Sequence, residues 1–428
     1  MRLQRLDARS SDFARDFAAL VAARRDVDAD VAADVRAIIA AVAADGDAAL
    51  ADYTRRFDGH DLPLSIPLAD CTAALDALDA RLRDALELAA QRIGDWHSRQ
   101  RPADHAHVDS AGVRLGARWT SVDAAGVYVP GGRASYPSSV LMNLIPARVA
   151  GVERRVMVTP TPGGVPNQLV LAAAALGGAT EVWRVGGAQA IAALAHGTAS
   201  IAPVDVITGP GNAWVAEAKR QLFGRVGIDM VAGPSEILVV ADVANDPRWI
   251  AADLLSQAEH DPTSQSILIC DDAGFADAVA AQVAAIIPTL ATAPAARASW
   301  DAHGAIILVP SLGDAAPIIN ALAPEHLQLA MDMPAAEALF ARVRHAGSVF
   351  LGRMTPEAIG DYVAGPNHVL PTARSARFSS GLSVIDFMKR TSFIALDNAA
   401  LAAIGPAAVA LAEAEGLPAH ALSVAQRL

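Results

Sequence analysis

The chain is poor in several residue types, and each shortage argues against a class of protein. It has only two cysteines, Cys71 and Cys270, and they lie far apart, so buried free thiols are favoured over a disulfide or a cysteine-based metal site. Aromatic residues make up only 5% of the chain, while alanine raises the hydrophobic content to 53%. This balance fits an alanine-rich α/β protein better than a β-sandwich.

Long apolar runs and an excess of positive charge are also missing. No uninterrupted apolar run approaches membrane-spanning length, and residues 1–10 lack the apolar core of a secretory signal, which predicts a cytoplasmic protein. The formal net charge of −12 argues against nucleic acid or an anionic membrane surface as a partner. With 428 residues, the chain is long enough for two or three domains with large cores.

The spacing of apolar residues predicts an α/β fold in four regions. Residues 1–105 have helical spacing, and strands alternate with helices in 106–234 and again in 235–375. This alternation is typical of mainly parallel sheets covered on both faces, so we predict two tandem Rossmann-like domains with a cleft between them. Residues 376–428 form a small helical tail that is too short to bury its own core. It must therefore pack on the main body or on another subunit.

Glycine-rich turns follow strands of the first α/β region at 128–139, 186–189 and 208–212. None has the Gly-x-Gly-x-x-Gly spacing of an ordinary dinucleotide site, and any one of them could be a tight turn without a ligand. Three such turns on one edge of a sheet favour an anionic, nucleotide-like ligand, because glycine lets backbone amides approach a phosphate.

A possible metal-binding pair lies in the second α/β region. The cap Asp246 and the later Pro262 predict a helix at about 248–260, on which Gln257 and His260 project together. An amide oxygen and an imidazole nitrogen can both bind a borderline divalent metal, but two ligands do not hold one. A histidine at a helix end is also commonly a solvated residue, so both interpretations stay open.

Further polar residues could carry chemistry. Glu325 and His326 are adjacent, and a carboxylate can take a proton from water while an imidazole takes one from an alcohol. The same pair could also be a short polar turn. Asp361 and His368 lie in the loop 360–372, and His420 lies in the tail, where each would by default be a turn or surface residue.

Together with their flanking residues, these motifs resemble the histidinol dehydrogenase family over nearly the whole chain from Tyr128 onward. The segments that carry the resemblance are YVPGG at 128–132, YPSSVLMN at 136–143, GGAQAIA at 186–192, GPGN at 209–212, EAK at 217–219, AGPSE at 232–236, DLLSQAEH at 253–260, APEHL at 323–327, GDY at 360–362, NHVLPT at 367–372 and EGLPAH at 415–420.

The resemblance implies a zinc-dependent enzyme that oxidises L-histidinol to L-histidine through the aldehyde, with two NAD as acceptors. Zinc would be bound by Gln257, His260 and Asp361, and His420 would reach the ion from the other subunit of a homodimer. Glu325 and His326 would transfer protons. The implied substrate-binding residues are Ser235, Gln257, His260, His326, Asp361, Glu415 and His420, and the implied cofactor-binding residues are Tyr128, Gln189 and Asn212.

Two other functions fit part of this pattern. A related zinc and NAD dehydrogenase could oxidise a small alcohol without an imidazole, but the intact tail motif at 415–420, which would meet the imidazole, argues against it. A zinc hydrolase could use Glu325 to activate metal-bound water without NAD. The three glycine-rich turns argue against that alternative.

Overall fold

The N-terminal region is mostly helical, and it also supplies short strands to two larger sheets. The computed structural model describes residues 3–23, 31–131, 136–231 and 233–428. The elements of the N-terminal region are β1 (Gln4–Asp7), α1 (Phe13–Ala22), α2 (Val31–Asp45), α3 (Asp47–Asp58), β2 (Ser65–Ile66), α4 (Leu68–Asp76) and α5 (Ala80–Ser98).

The first large sheet has six strands in the order β2-β7-β6-β5-β8-β9, and all neighbours except β2 and β7 are parallel. Its further elements are β5 (Ala124–Tyr128), α6 (Pro137–Ala150), β6 (Arg154–Val158), α7 (Gln168–Gly177), β7 (Glu181–Trp183), α8 (Gly187–His196), β8 (Val206–Thr208), α9 (Ala213–Leu222) and β9 (Gly227–Ile228). The chain leaves β5 for β6 on one side and later returns to β8 on the other side. A crevice therefore opens at the carboxyl ends of β5 and β8, where doubly wound sheets bind ligands.

The second large sheet repeats this arrangement in the order β1-β12-β11-β10-β13-β14, and every pair in it is parallel. Its further elements are β10 (Glu236–Ala241), α10 (Pro247–Ala258), β11 (Gln265–Cys270), α11 (Ala273–Ile286), α12 (Ala293–His303), β12 (Ala305–Leu308), α13 (Ala315–Leu322), β13 (His326–Ala330), α14 (Met333–Phe340), β14 (Ser348–Leu351) and α15 (Ala358–Tyr362). Short 3₁₀ turns lie at Pro162–Gly164, Ile287–Thr289, Leu312–Asp314, Ser375–Arg377 and Val384–Phe387. The prediction of two tandem parallel-sheet domains is confirmed.

The C-terminal region differs from the predicted purely helical tail. It begins with β15 (Met388–Ala395) and continues with α16 (Asn398–Ala414) and α17 (Pro418–Ala425). β15 pairs antiparallel with β4 (Arg114–Ser121), which also pairs with β3 (His105–Val108), so these strands form a separate sheet. The tail is thus tied to the main chain by backbone hydrogen bonds. The domain boundaries at 105, 234 and 375 stay predictions.

Buried aliphatic side chains fill both faces of each large sheet. All six residues of β10 are buried, and so are all five of β5 and all five of β13. This burial on both faces explains the apolar runs of β5 and of residues 237–241 in β10, while β13 also buries the polar His326 and Gln328. Both cysteines are buried and free, as predicted. Within the described ranges, no helix combines the length and the apolar character needed to cross a bilayer.

Candidate active site

The candidate site lies at the amino end of the second large sheet, and a loop beside it contacts α6 of the first region. Glu325 immediately precedes β13 and His326 is its first residue, so both sit at the amino end of the second sheet. Ser139, in the first turn of α6, places its Oγ 3.2 Å from Nε2 of His368. Because α6 begins at the carboxyl end of the first sheet, this contact joins that edge of the sheet to the loop that carries His368.

His326 is held in one orientation by the neighbouring strand. Its Nδ1 lies 2.9 Å from the backbone carbonyl oxygen of Glu236, which can only accept a hydrogen bond, so Nδ1 carries the proton and donates. Nε2 is then left with a lone pair, and within the described structure it has no hydrogen-bond partner although it is buried. The geometry therefore presents a basic nitrogen to the interior of the site.

Glu325 is a buried carboxyl group next to this imidazole. Its Oε2 accepts a hydrogen bond of 2.9 Å from the backbone N–H of Glu236 and lies 3.6 Å from Nδ1 of His326. Burial raises the pKa of Glu325 to about 8, against the opposing effects of His326 and of the Glu236 N–H. A carboxylate of raised pKa is a stronger base than an ordinary one, which suits it to take a proton from water.

The electrostatics of His326 are dominated by acids. Burial alone would lower the pKa of His326, but the facing carboxylates of Glu325, Glu357 and Asp361 outweigh burial and raise it. The result is a buried imidazole that accepts a proton more readily than a solvated one.

Glu357 is a member of this cluster that the sequence analysis missed. Its side chain is fully buried, Oε1 lies 3.5 Å from Nε2 of His326, and Oε2 accepts a hydrogen bond of 3.0 Å from Ser256. A signal was present in the sequence, because Glu357 precedes Asp361 by four residues, which is about one helical turn. His326, Glu357 and Asp361 each offer one atom that could bind a metal ion, and these three atoms lie within 4.8 Å of one another.

Gln328 links the elements that carry these groups. It lies on β13, and its Nε2 donates to Oδ2 of Asp253 on α10, at 2.6 Å. Its Oε1 accepts from the backbone N–H of Glu357, at 3.1 Å, just before α15. A single buried side chain therefore fixes the spacing between the strand of His326 and the helices of Gln257 and Asp361.

The buried polar atoms of the cluster fit a cation or a polar ligand. Oε1 of Gln257, Nε2 of His326 and Oε1 of Glu357 are all buried, and none has a hydrogen-bond partner in the described residues. Orphaned acceptors of this kind are rare in native proteins because each costs free energy, and two of these, Nε2 of His326 and Oε1 of Glu357, lie 3.5 Å apart. Nitrogen and oxygen donors of mixed softness suit zinc and related divalent ions.

One chain brings together only part of the predicted metal site. Gln257 is 1% exposed, and the adjacent Ser256 donates a hydrogen bond to Glu357. α10 ends at Ala258, two residues before the predicted end. His260 therefore lies in the turn that follows the helix. Oδ1 of Asp361 is 3.6 Å from Nδ1 of His368.

His420 is exposed on α17 and is not part of the His326, Glu357 and Asp361 group.

The remaining predicted substrate residues lie at two separate places. Ser235 directly precedes β10, which is the strand that holds His326 in its orientation. Glu415 caps the carboxyl end of α16 and is exposed, close in sequence to His420. The two tail residues are thus presented to solvent by the single chain.

The predicted cofactor residues gather at the crevice of the first sheet. The hydroxyl of Tyr128, at the end of β5, accepts a hydrogen bond of 3.2 Å from the N–H of Gly187. Gln189 is 3% exposed and its Oε1 has no partner in the described structure. Asn212 uses its Oδ1 to cap α9, accepting from the N–H groups of Trp214 and Val215. Part of the loop 128–139, residues 132–135, lies outside the described residues.

A cavity opens beside the polar cluster. Its volume is about 380 Å³, and its lining includes His326, Asp361 and His368 on the polar side and Trp96 and Phe350 on the apolar side. This is a volume typical of small-molecule sites, which combine apolar walls with a few polar groups.

Comparisons with known proteins point to one enzyme family. The family model described as histidinol dehydrogenase matches residues 22–428. A histidinol dehydrogenase from Zymomonas mobilis is 61% identical over 429 residues, covering 100% of this chain and 99% of that protein. A histidinol dehydrogenase from Rhodospirillum rubrum is 62% identical over 430 residues, covering 99% and 98%. The crystal structure of histidinol dehydrogenase from Elizabethkingia anophelis superposes with a TM-score of 0.94 at 34% identity, covering 99% of this chain and 98% of that one.

Proposed function

The chain belongs to the histidinol dehydrogenase family, NAD-dependent oxidoreductases that convert histidinol to histidine, and we propose that it performs this reaction with zinc at the cluster around Gln257 and Asp361. The observation that carries the proposal is a pair of unpartnered buried polar atoms, Nε2 of His326 and Oε1 of Glu357, which lie 3.5 Å apart next to Glu325. The family membership supplies the reaction, and the cluster supplies the groups that the reaction needs.

Gln257, His260 and Asp361 would hold the metal from one subunit, and His420 of the partner subunit would complete the set. The exposure of His420 on α17 supports this arrangement, because a ligand supplied to a second subunit must be presented at the surface. Bound zinc would supply a Lewis acid that orients the substrate and polarises its oxygen. The homodimer is therefore part of the proposal.

Proton transfer in the alcohol step is assigned to His326. Its Nδ1 is committed to the Glu236 carbonyl, so Nε2 is the atom that takes the hydroxyl proton. The neighbouring carboxylates that raise the pKa of His326 also stabilise the imidazolium formed. The cavity next to Nε2 supplies room for the substrate.

Proton transfer in the aldehyde step is assigned to Glu325. Oxidation of an aldehyde to an acid requires the addition of water, and Glu325 would take a proton from that water. Burial raises the pKa of Glu325 to about 8, so its ionised form takes a proton more readily than an ordinary carboxylate does. His326 and Glu325 thus divide the two oxidations between them.

NAD would lie at the carboxyl edge of the first sheet, against Tyr128, Gln189 and Asn212. The crevice between β5 and β8 supports this location because such switch points bind nucleotides. Bound NAD would supply the hydride acceptor for each oxidation, and the residues of this edge would contribute position and charge.

The cytoplasm is the proposed location of the reaction. Cys71 and Cys270 are buried and free, which fits a reducing compartment.

Replacing His326 with Asn tests the assignment of the alcohol step. We expect His326→Asn to lower kcat for L-histidinol by about 10²- to 10⁴-fold, the usual contribution of a general base. NADH formation at saturating substrate is the measurement, and zinc content checks that the metal is retained. The matched control is His107→Asn, at an exposed histidine of β3 in the separate antiparallel sheet. Unchanged turnover of His326→Asn across neutral pH would contradict the role.

A further inference from the structure

A buried ion pair lies behind the proposed cofactor loop. Lys219 on α9 and Asp229 just after β9 are in contact through Nζ and Oδ1, and their side chains are only 3% and 1% exposed. Neither residue belongs to the cluster around His326 or to the predicted cofactor contacts. Removing two charges from water is costly, so such a pair is a poor source of stability, and a positional role is the stronger explanation.

The pair encloses the backbone of Gly209. Nζ of Lys219 donates to the carbonyl oxygen of Gly209 at 3.1 Å, and Oδ2 of Asp229 accepts from the N–H of Gly209 at 2.8 Å. Oδ1 of Asp229 also accepts from the N–H of Met230 at 2.6 Å, which ties the carboxylate to its own strand end. The N–H and the carbonyl oxygen of Gly209 are therefore each hydrogen-bonded to a charged side chain, one negative and one positive.

Gly209 is the residue at which the loop after β8 passes close to the end of β5. Its φ of +111° lies in the left-handed region, and a Cβ there would meet the carbonyl oxygen of Tyr128 at 2.1 Å. Only glycine allows the loop after β8 to pass this close to the end of β5. The path from Gly209 leads within three residues to Asn212 and the start of α9.

We propose that Lys219 and Asp229 are positioning residues for the cofactor, because they fix both polar groups of Gly209 and so set the distance between Tyr128 and Asn212. This inference rests on the proposed location of NAD. The charges do not touch the cofactor; they act through the loop. Charge-assisted hydrogen bonds are shorter and stronger than neutral ones, which suits them to hold a strained backbone.

The test compares two double variants. Lys219→Met with Asp229→Leu removes both bonds to Gly209, while Lys219→Gln with Asp229→Asn removes the charges and keeps a donor and an acceptor. We expect the first to raise KM for NAD by about 10- to 100-fold, the effect of a small misplacement, with zinc content, KM for L-histidinol and kcat at saturating NAD nearly unchanged. The second variant should restore much of the NAD affinity.

A matched control is the ion pair of Arg154 and Glu181, which lies at the amino ends of β6 and β7 in the same sheet. Arg154→Met with Glu181→Gln should leave KM for NAD unchanged. If the Met and Leu variant does not fold, Lys219→Met with Asp229→Asn serves instead, since it removes the bond to the Gly209 carbonyl and leaves an amide oxygen that can still accept from the Gly209 N–H.

The outcomes separate this inference from the function on which it rests. Asn212→Ala is the reference variant, because it alters a proposed cofactor contact. If it raises KM for NAD while the Lys219 and Asp229 variants do not, the positioning role is wrong and the cofactor site stands. If none of these variants changes KM for NAD, the cofactor site itself is wrong. A loss of thermal stability with unchanged KM would make the pair merely structural and overturn the proposal.

Discussion

A mixture of two inactive variants is expected to regain activity that neither has alone. Asp361→Asn removes a proposed zinc ligand from the main body, and His420→Asn removes the one supplied by the partner's tail. Each homodimer should lose most of its zinc and its activity, because a site that lacks one protein ligand binds the metal much more weakly. In a heterodimer, one site carries both defects and the other carries none.

The expected recovery has a definite size. Random reassociation makes half of the dimers mixed, and each mixed dimer has one intact site, so about a quarter of all sites should bind zinc and turn over L-histidinol. The two variants are unfolded or dissociated together, refolded, and measured for zinc content and NADH formation. The fraction of mixed dimers is checked with differently tagged chains.

The control mixture pairs Asp361→Asn with Gln257→Ala. Both changes lie in the main body, so each site of the mixed dimer keeps one defect and no recovery is expected. Failure of the Asp361 and His420 mixture to recover would mean that the site is not shared between subunits. Equal recovery in the control mixture would contradict the arrangement as well.

Glu325→Gln is expected to separate the two oxidations. The amide keeps the size of the side chain but cannot take a proton from water, so the aldehyde step should slow by about 10²- to 10⁴-fold while alcohol oxidation stays comparatively intact. Stopped-flow NADH formation with L-histidinol, and separately with the aldehyde, measures the two rates. The aldehyde should accumulate and be trapped by a hydrazine reagent.

The control for Glu325 is Glu236, a second buried acid at the amino end of the same sheet. The Glu236 side chain accepts from the N–H of Ala373 and is not assigned a proton transfer. Glu236→Gln should leave the ratio of the two rates unchanged. An equal loss in both steps for Glu325→Gln would contradict its role in activating water.

The fold class could be predicted because local pattern and long-range packing agree in the two large sheets. After Glu236, the rest of β10 is a continuous apolar run that ends before the Asn245 turn, and the strand is buried throughout. The short strand β1 could not be predicted, since its four residues become a strand only by pairing with β12, some 300 positions away. β15 is mostly exposed and its local pattern gives little sign of a strand. Its pairing with β4 along eight residues decides its conformation.

The sequence pointed to candidate site residues, but it could not predict how those residues are arranged in space. Glu325, His326, Gln257 and Asp361 stood out because their flanking residues resemble one family. No local sequence pattern predicts that the amino end of β13 lies beside the end of α10. That proximity depends on the order of the strands in the sheet. Glu357 was missed because an acid after a proline is common, and its importance appears only when its Oε1 is found facing Nε2 of His326.

The central claim is that one metal-dependent site carries both oxidations, and the yield of NADH from a limiting amount of L-histidinol tests it most directly. The account predicts two NADH for each L-histidinol, loss of this activity after zinc is removed by a chelator, and its return when zinc is added back. A yield of one NADH, or full activity in the chelated and verified metal-free protein, would contradict it.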